Sequence, residues 1–309
     1  MGVPVEIWGK EMAENIYPKN VFYQGNAIDD STQQAGIKVH VIQSGAVPVV
    51  EINAPYVGGS VPIERVDTDA DYNVDIFDFG PVVLRRADGA FLSYDKRASL
   101  MGDTYGVLTT SVADRIAYNW SPASTSHILR TSGAARDAYL PTQTAQRKAV
   151  AYKDILRLQT LMTVDDVDDE GRKMLVPAYL LEDLRLIPEF MDYEKLGYIQ
   201  QMKDGAKGSI AGFTIYVRSR TTRYTNAVLP VKRLPDTAMA ATDNLSILAW
   251  HPKYVRVSMG GTANAGIHVF ENLNDAVYKG DILSGQVFAG GKISYTDERG
   301  VYILVESKV

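Results

Sequence analysis

The chain has 309 residues, 46% hydrophobic and 22% charged, so it can build a core, and disorder is not its default. Its formal net charge of −5, from 32 basic and 37 acidic residues, argues against a dedicated nucleic-acid binder, which carries a basic excess. With no cysteine, disulfides, thiolate metal sites and cysteine nucleophiles are excluded, which fits a reducing cytoplasm.

No apolar run approaches the roughly 20 residues that span a bilayer, and MGVPVEIWGKEM lacks the basic and apolar regions of a signal peptide. Residues 1–35 read as an arm, with Trp8 as a large apolar side chain that docks either on its own domain or on a neighbouring subunit. Residues 36–80 read as extended chain. Ile37, Val39 and Val41 alternate at a period of two, and a turn near Ser44–Gly45 leads to Val47, Val49, Val50 and Ile52, predicting a hairpin. A further strand over Asn73–Phe79 is expected to end at Gly80–Pro81. Residues 1–92 as a whole do not read as a segment that buries a core by itself.

A long helix is predicted from Ser93, a plausible N-cap, to Trp120, with Pro122 stopping it. Tyr94, Ala98, Met101, Tyr105, Leu108, Val112 and Ile116 form one apolar stripe over about six turns, with Gly102 and Gly106 as places of close approach. Residues 121–145 read as polar loop, and a second helix is expected over Thr144–Met162 with Ala151, Ile155, Leu158 and Met162 on one face. An acidic turn at Asp165–Gly171, a buried strand at Lys173–Pro177 and a helix over Ala178–Leu186 suggest an α/β layer. Partly helical chain up to Gly208, strand at Ile210–Val217, loop at 224–243, and strands at Leu245–Trp250 and Tyr254–Met259 follow. The tail reads as short strands: Ile267–Phe270, Gly285–Phe288, Lys292–Tyr295 and Gly300–Glu306.

Catalytic and cofactor motifs are tested and set aside. His40, His127, His251 and His268 do not pair at metal spacing, and neither a nucleophile elbow nor an H-E-x-x-H helix is present. GQVFAGGKIS lacks the first glycine and the hydroxyl of a phosphate loop and reads as a hairpin turn. The run Asp67, Asp69, Asp71, Asn73, Asp75, Asp78 starts with calcium-loop spacing but has Tyr72 where the sharp turn needs glycine, so a solvated acidic edge is expected. The run Asp166, Asp168, Glu170 reads as an exposed turn. Arg218, Arg220 and Arg223 alternate as a local basic cluster, open to phosphate, to acids of another subunit, or to solvent. No catalytic, cofactor or metal residue is assigned, and no enzyme is expected.

Several phrases carry a resemblance: GPVVLRRADGAFLSYDKRASLMGD, DILRLQTLMTVDDVDDEGRKMLVPAYLLEDL, GSIAGFTIYVRS, NLSILAWHPKYVRVSMGG and VYKGDILSGQVFAGGKISYTDERGVYILVE. Taken in this order, the chain resembles the major capsid proteins of tailed bacteriophages with the Hong Kong 97-type fold. That resemblance implies an α+β subunit: an N-terminal arm (1–35), an extended β-hairpin loop (36–80), a peripheral domain with a long spine helix (81–146 and 263–297), and an α/β axial domain (147–262 and 298–309). It implies hexamers and pentamers of the chain in an icosahedral shell around double-stranded DNA, a separate scaffolding protein and a portal, and no membrane. Its place would be the virion, and the host cytoplasm during assembly. Contact candidates between subunits are Trp8, Ile37, Val39, Val41, Val49, Ile52, Arg218, Arg220 and Arg223. On this reading, removing residues 1–30 is expected to leave a soluble subunit that cannot close shells. A nanocompartment shell of the encapsulin type, an enzyme with a spatially assembled site, and a tail or adaptor protein stay open as alternatives.

Overall fold

The computed structural model describes residues 22–45, 64–85, 96–140, 142–188, 206–260 and 267–309, together with 50, 52 and 53. Among these, three helices of more than one turn form: α1 (Lys96–Trp120), α2 (Tyr152–Val164) and α3 (Leu180–Arg185). The strands used below are β1 (Asp75–Arg85), β2 (Ile128–Arg130), β3 (Lys173–Pro177), β4 (Ala206–Ile210), β5 (Phe213–Arg218), β6 (Ser246–Trp250), β7 (Val255–Ser258), β8 (Ile267–Asp275), β9 (Gly280–Ile293) and β10 (Val301–Val305). The fold is a mixed α+β one, mostly sheet.

Near-continuous apolar strands belong in a sheet covered on both faces. KMLVP, SILAW and VYILV form the centre of a six-stranded sheet ordered β4-β5-β3-β6-β10-β2. Their side chains alternate between two cores. Leu175, Leu248, Trp250, Val301, Ile303 and Val305 face the α1 side. Met174, Val176, Ile247, Ala249, Tyr302 and Leu304 face α2 and α3, meeting Ile155, Leu158, Met162, Leu180 and Leu184. β3 runs parallel to β5 and β10 parallel to β2, and the remaining neighbours are antiparallel.

The second architecture is a ribbon. β9, about 46 Å long at 3.3 Å per residue, pairs through Gly280–Ala289 with β1 on one side and through Gly280–Val287 with β8 on the other, while Gly290–Ile293 pairs with β7. The sequence GQVFAGGKIS, expected as a turn, is thus the middle and end of one strand. Its glycines serve close approach, since a Cβ on Gly285 would lie 2.1 Å from the Phe79 ring and one on Gly291 3.0 Å from the Trp120 indole nitrogen. The break expected at Gly80–Pro81 is absent: the strand and the extended Val82–Leu84 expected after it form one strand to Arg85. Among the described residues β1 pairs only with β9, and the register shifts between Leu283 and Gly285, opposite Gly80–Pro81. An outer strand with a bulge is where proline's missing N–H does least harm.

Other boundaries moved for local reasons. α1 ends at Trp120 as predicted, while Ser93 and Tyr94 lie outside the described residues. Among the described residues of α1, Leu108, Val112, Ala113, Ile116, Ala117 and Trp120 are buried, whereas Tyr105 and Val107 are exposed, and a Cβ on Gly102 would meet nothing within 4 Å. The second helix starts at Tyr152, because Arg147–Lys148 pairs instead with Ala135–Arg136. The expected strand Ile210–Val217 is broken by Ala211 (φ 47°) and Gly212 (φ 80°), whose left-handed backbone turns the chain into the β4–β5 hairpin. The expected loop 224–243 contains short antiparallel pairs, Arg223–Thr225 with Lys232–Arg233 and with Asp243–Asn244.

Phe22 and Tyr23, within the arm, belong to the main core. The Phe22 ring makes edge contacts with Trp120 at 5.9 Å and Trp250 at 6.2 Å, and the Trp250 indole donates to the Asn26 carbonyl at 3.1 Å. Removing residues 1–30 would therefore take Phe22 and Tyr23 out of the core between α1 and the sheet.

Candidate interaction surfaces

The hairpin-loop region is thin. Val39, Val41, Tyr72 and Val74 form a separate small cluster, with Phe288 of β9 packed against it. Ile42–Gln43 pairs with Thr68–Asp69. Residues 46–49, including Val49 of the expected hairpin, lie outside the described residues, as does Trp8. Of the apolar contact candidates, Val39 and Val41 are spent on this internal cluster, whereas Ile37 is half exposed and Ile52 is 87% exposed. Ile42 and Val66, not singled out by the alternation, are also exposed. Along the ribbon, Ile76, Val269, Phe270, Leu273, Val277 and Tyr278 reach solvent.

The acidic row beneath this region is tied to bases. Asp71 meets Lys38 at 3.2 Å, Asp69 meets His40 at 2.9 Å, Asp67 meets Arg65 at 2.7 Å, and Asp75 meets Arg115 at 2.6 Å. The Arg65 guanidinium holds Asp67 below the usual carboxylate range, and the Lys38 ammonium does the same for Asp71. Lys38 and His40 reach their aspartates from a neighbouring segment, Arg65 from two residues away, and Arg115 from α1.

The arginine cluster differs from the exposed patch its alternation predicts. Arg218 is buried, 2.5 Å from Asp114 of α1, and donates to the Thr110 carbonyl at 3.1 Å. Arg220 shares that carboxylate at 3.2 Å and stays 46% exposed. Burial pushes Asp114 up from the usual range, against the pull of both guanidiniums. Arg223 is also buried. It lies 3.5 Å from Asp243 and donates to the carbonyls of Leu234 and Thr237. Arg233 is the outer partner of Asp243 at 3.4 Å, 43% exposed. Each buried aspartate thus lies between an inner, buried arginine and an outer, half-exposed one. Beside them runs an open cleft of about 700 Å³, lined by Val107, Tyr179, Arg220, Arg223, Asp236 and Met239 among others.

Sequence reasoning missed three buried polar devices. Arg136 joins Asp183 (3.0 Å) to Glu306 (2.6 Å), while Tyr139 donates to Asp183 at 2.7 Å and the Leu245 N–H donates to Glu306 at 3.0 Å. Arg172 donates to the carbonyls of Gln159, Val167 and Asp168, closing the C-terminal end of α2. His251 accepts from the Lys253 N–H at 3.2 Å through Nδ1 and meets the Glu170 carbonyl at 3.0 Å through Nε2. That pair of contacts fixes a neutral tautomer, and burial pushes the His251 pKa down. None was visible as a motif, because the partners lie far apart in sequence; only Arg172, directly after the acidic turn, carried a local hint.

No family model and no curated protein matches the sequence. Solved structures do. The capsid of the cyanophage P-SCSP1u matches at TM-score 0.68 and 14% identity, covering 98% of this chain and 93% of its own. The chain shares the fold of phage capsid structures. The capsid of Ralstonia phage GP4 matches at TM-score 0.67 and 14% identity, over 99% and 96% of the two chains. The capsid of cyanophage Pam1 matches at TM-score 0.64 and 11% identity, over 98% and 96%. At such identities the likeness speaks for the architecture. It embraces both the six-stranded sheet and the ribbon, since almost the whole of each chain is included.

Proposed function

We propose that this chain is the major capsid protein of a tailed bacteriophage, with the Hong Kong 97-type plan, and that copies of it assemble as hexamers and pentamers into an icosahedral shell around double-stranded DNA. The observation that carries this reading is the fold shared end to end with phage capsid chains, at 98% of this chain and 93% of the other. The proposed division is arm 1–35, hairpin loop 36–80, peripheral domain 81–146 with 263–297, and axial domain 147–262 with 298–309. Two strands cross it, because β2 joins the six-stranded sheet and β7 joins β9.

The physical chemistry supports the same role. A shell subunit needs a block that folds alone and edges that do not. The sheet, covered on both faces, is the block. The ribbon and hairpin loop, with Ile37, Ile52 and Phe270 in solvent, are the edges. Trp8 and Val49 remain contact candidates alongside them. Interfaces of standard size, about 1,600 Å², are individually moderate, and several per subunit hold a shell through multiplicity. The net charge of −5 suits a wall that encloses DNA without gripping its sequence. A separate scaffolding protein and a portal complete the proposed partners. The chain would work in the virion after assembly in the host cytoplasm, with no catalytic step of its own.

Negative-stain electron microscopy of the purified chain is the test. Closed shells are expected. Rings or tubes would move it to the tail and adaptor class, and a chain that stays monomeric at high concentration would sink the reading. Protein cargo in place of DNA, in particles purified from infected cells, would favour a nanocompartment.

A further inference from the structure

We infer that the cleft beside Arg220 receives the acidic turn Asp165–Glu170 of a second copy of this chain, in a head-to-tail contact. The inference rests on the shell reading and specifies one of its interfaces.

The cleft side is built from two overcommitted carboxylates. Asp114 serves Arg218 and Arg220, and Asp243 serves Arg223 and Arg233. The inner arginine of each trio is buried and the outer one is turned toward water. Arg220 lines the cleft and is placed to accept a further carboxylate, with planar donors suited to bidentate pairing. Among the cleft-lining residues Arg220 and Arg223 outnumber Asp236.

The same chain supplies the complement. Its acidic turn holds Asp165, Asp166, Asp168, Asp169 and Glu170; among the described residues Lys253 lies 3.3 Å from Asp168 and Arg172 2.8 Å from Asp169. Asp165 is taken by the Tyr302 hydroxyl at 2.7 Å. Asp166, Asp168, Asp169 and Glu170 are exposed.

Topology keeps the two surfaces apart within one molecule. β3 and β5 run parallel in register from Lys173 beside Thr214 to Pro177 beside Arg218. The acidic turn precedes β3 and the arginines follow β5, so they lie at opposite ends of the same sheet, about 17 Å apart for a five-residue strand. A subunit cannot fill its own cleft with its own turn. Contact between two different patches is heterologous, and such contacts generate rings when the rotation closes.

Charge exchange tests this. R220E is expected to abolish shells in sedimentation and microscopy, and D168K with E170K is expected to do the same. All three positions reach solvent, and circular dichroism with thermal melting checks that each variant is folded. In an even-numbered ring the two variants alternate and restore every charge pairing, so mixing them is expected to recover association in sedimentation velocity, whereas a five-membered ring keeps one mismatched contact. Association of either variant alone at the wild-type level, or folded variants that fail to associate when mixed, would overturn the contact. If the wild-type chain associates without closing shells, the shell reading fails, and the contact is still read from association of the same variants by sedimentation velocity. A wild-type chain that never associates overturns both.

Discussion

The six-stranded sheet and the five-stranded sheet that carries the ribbon bury their strands to different degrees. In the sheet, β6 and β10 are buried at every position and alternate residues enter two separate cores. In the ribbon, β1 has no fully buried residue, and β8 leaves Val269, Phe270 and Leu273 in solvent. Backbone pairing is comparable, so hydrogen bonds do not separate the two regions; side-chain burial does. A sheet of this kind is stable by itself, whereas a ribbon with one open face is stable only while something holds it. Here α1 holds one part of it, through Trp120 beside Gly291 and Arg115 paired with Asp75.

The contrast breaks first at its strongest point. Trp250→Ala removes a fully buried indole from contact with Phe22, Trp120 and Tyr216, and is expected to cost about 3–5 kcal/mol in urea unfolding. A loss below about 1 kcal/mol would mean that the seam is not the stability centre. Arg136→Ala strands the buried carboxylates of Asp183 and Glu306 and is expected to cost about 3 kcal/mol, read from the same midpoint. Retained stability in that variant would show that the network is dispensable.

Acid acts more gently and on the sheet side. The native pKa of His251 lies below its unfolded value of about 6.5, so its contribution is complete above that value and is lost as pH falls through the native pKa. Glu170, Asp168, Lys253 and Arg172 surround it. The wild-type urea midpoint is expected to fall more between pH 7 and pH 5 than that of His251→Asn. Equal falls would remove His251 from the account.

On the ribbon side, Phe270→Ser is expected to change subunit stability by no more than about 0.5 kcal/mol while reducing shell yield in microscopy. Unchanged yield would make Phe270 an ordinary surface residue. EDTA is expected to leave particle melting unchanged, because Asp67, Asp69, Asp71 and Asp75 already have basic partners. A large drop would return a metal to that row.

The sheet was legible from sequence because continuous apolar runs such as KMLVP and VYILV have few other places to go, and turns flank them. The end of α1 was legible through Trp120 and Pro122. The ribbon was not. Glycines in β9 look like turns until Phe79 and Trp120 are seen pressing against them, and Pro81 looks like a stop until a bulge on an outer strand accommodates it. For the contact candidates, alternation separated faces without saying which face was covered. Val39 and Ile37 share a phase yet differ fully in burial, because Tyr72 and Val74 cover one and not the other. For the arginines, spacing revealed a cluster, but the aspartates that hold it, Asp114 and Asp243, lie in distant elements.

The seating of Phe22 between Trp120 and Trp250 has a mechanical side. Tension on the chain N-terminal to Phe22 is delivered to the joint where the long helix meets the sheet. Strain there would act on α1 and the sheet together and, through Asp30, which accepts from the Tyr72 hydroxyl at 3.2 Å, on the small hairpin-loop cluster as well.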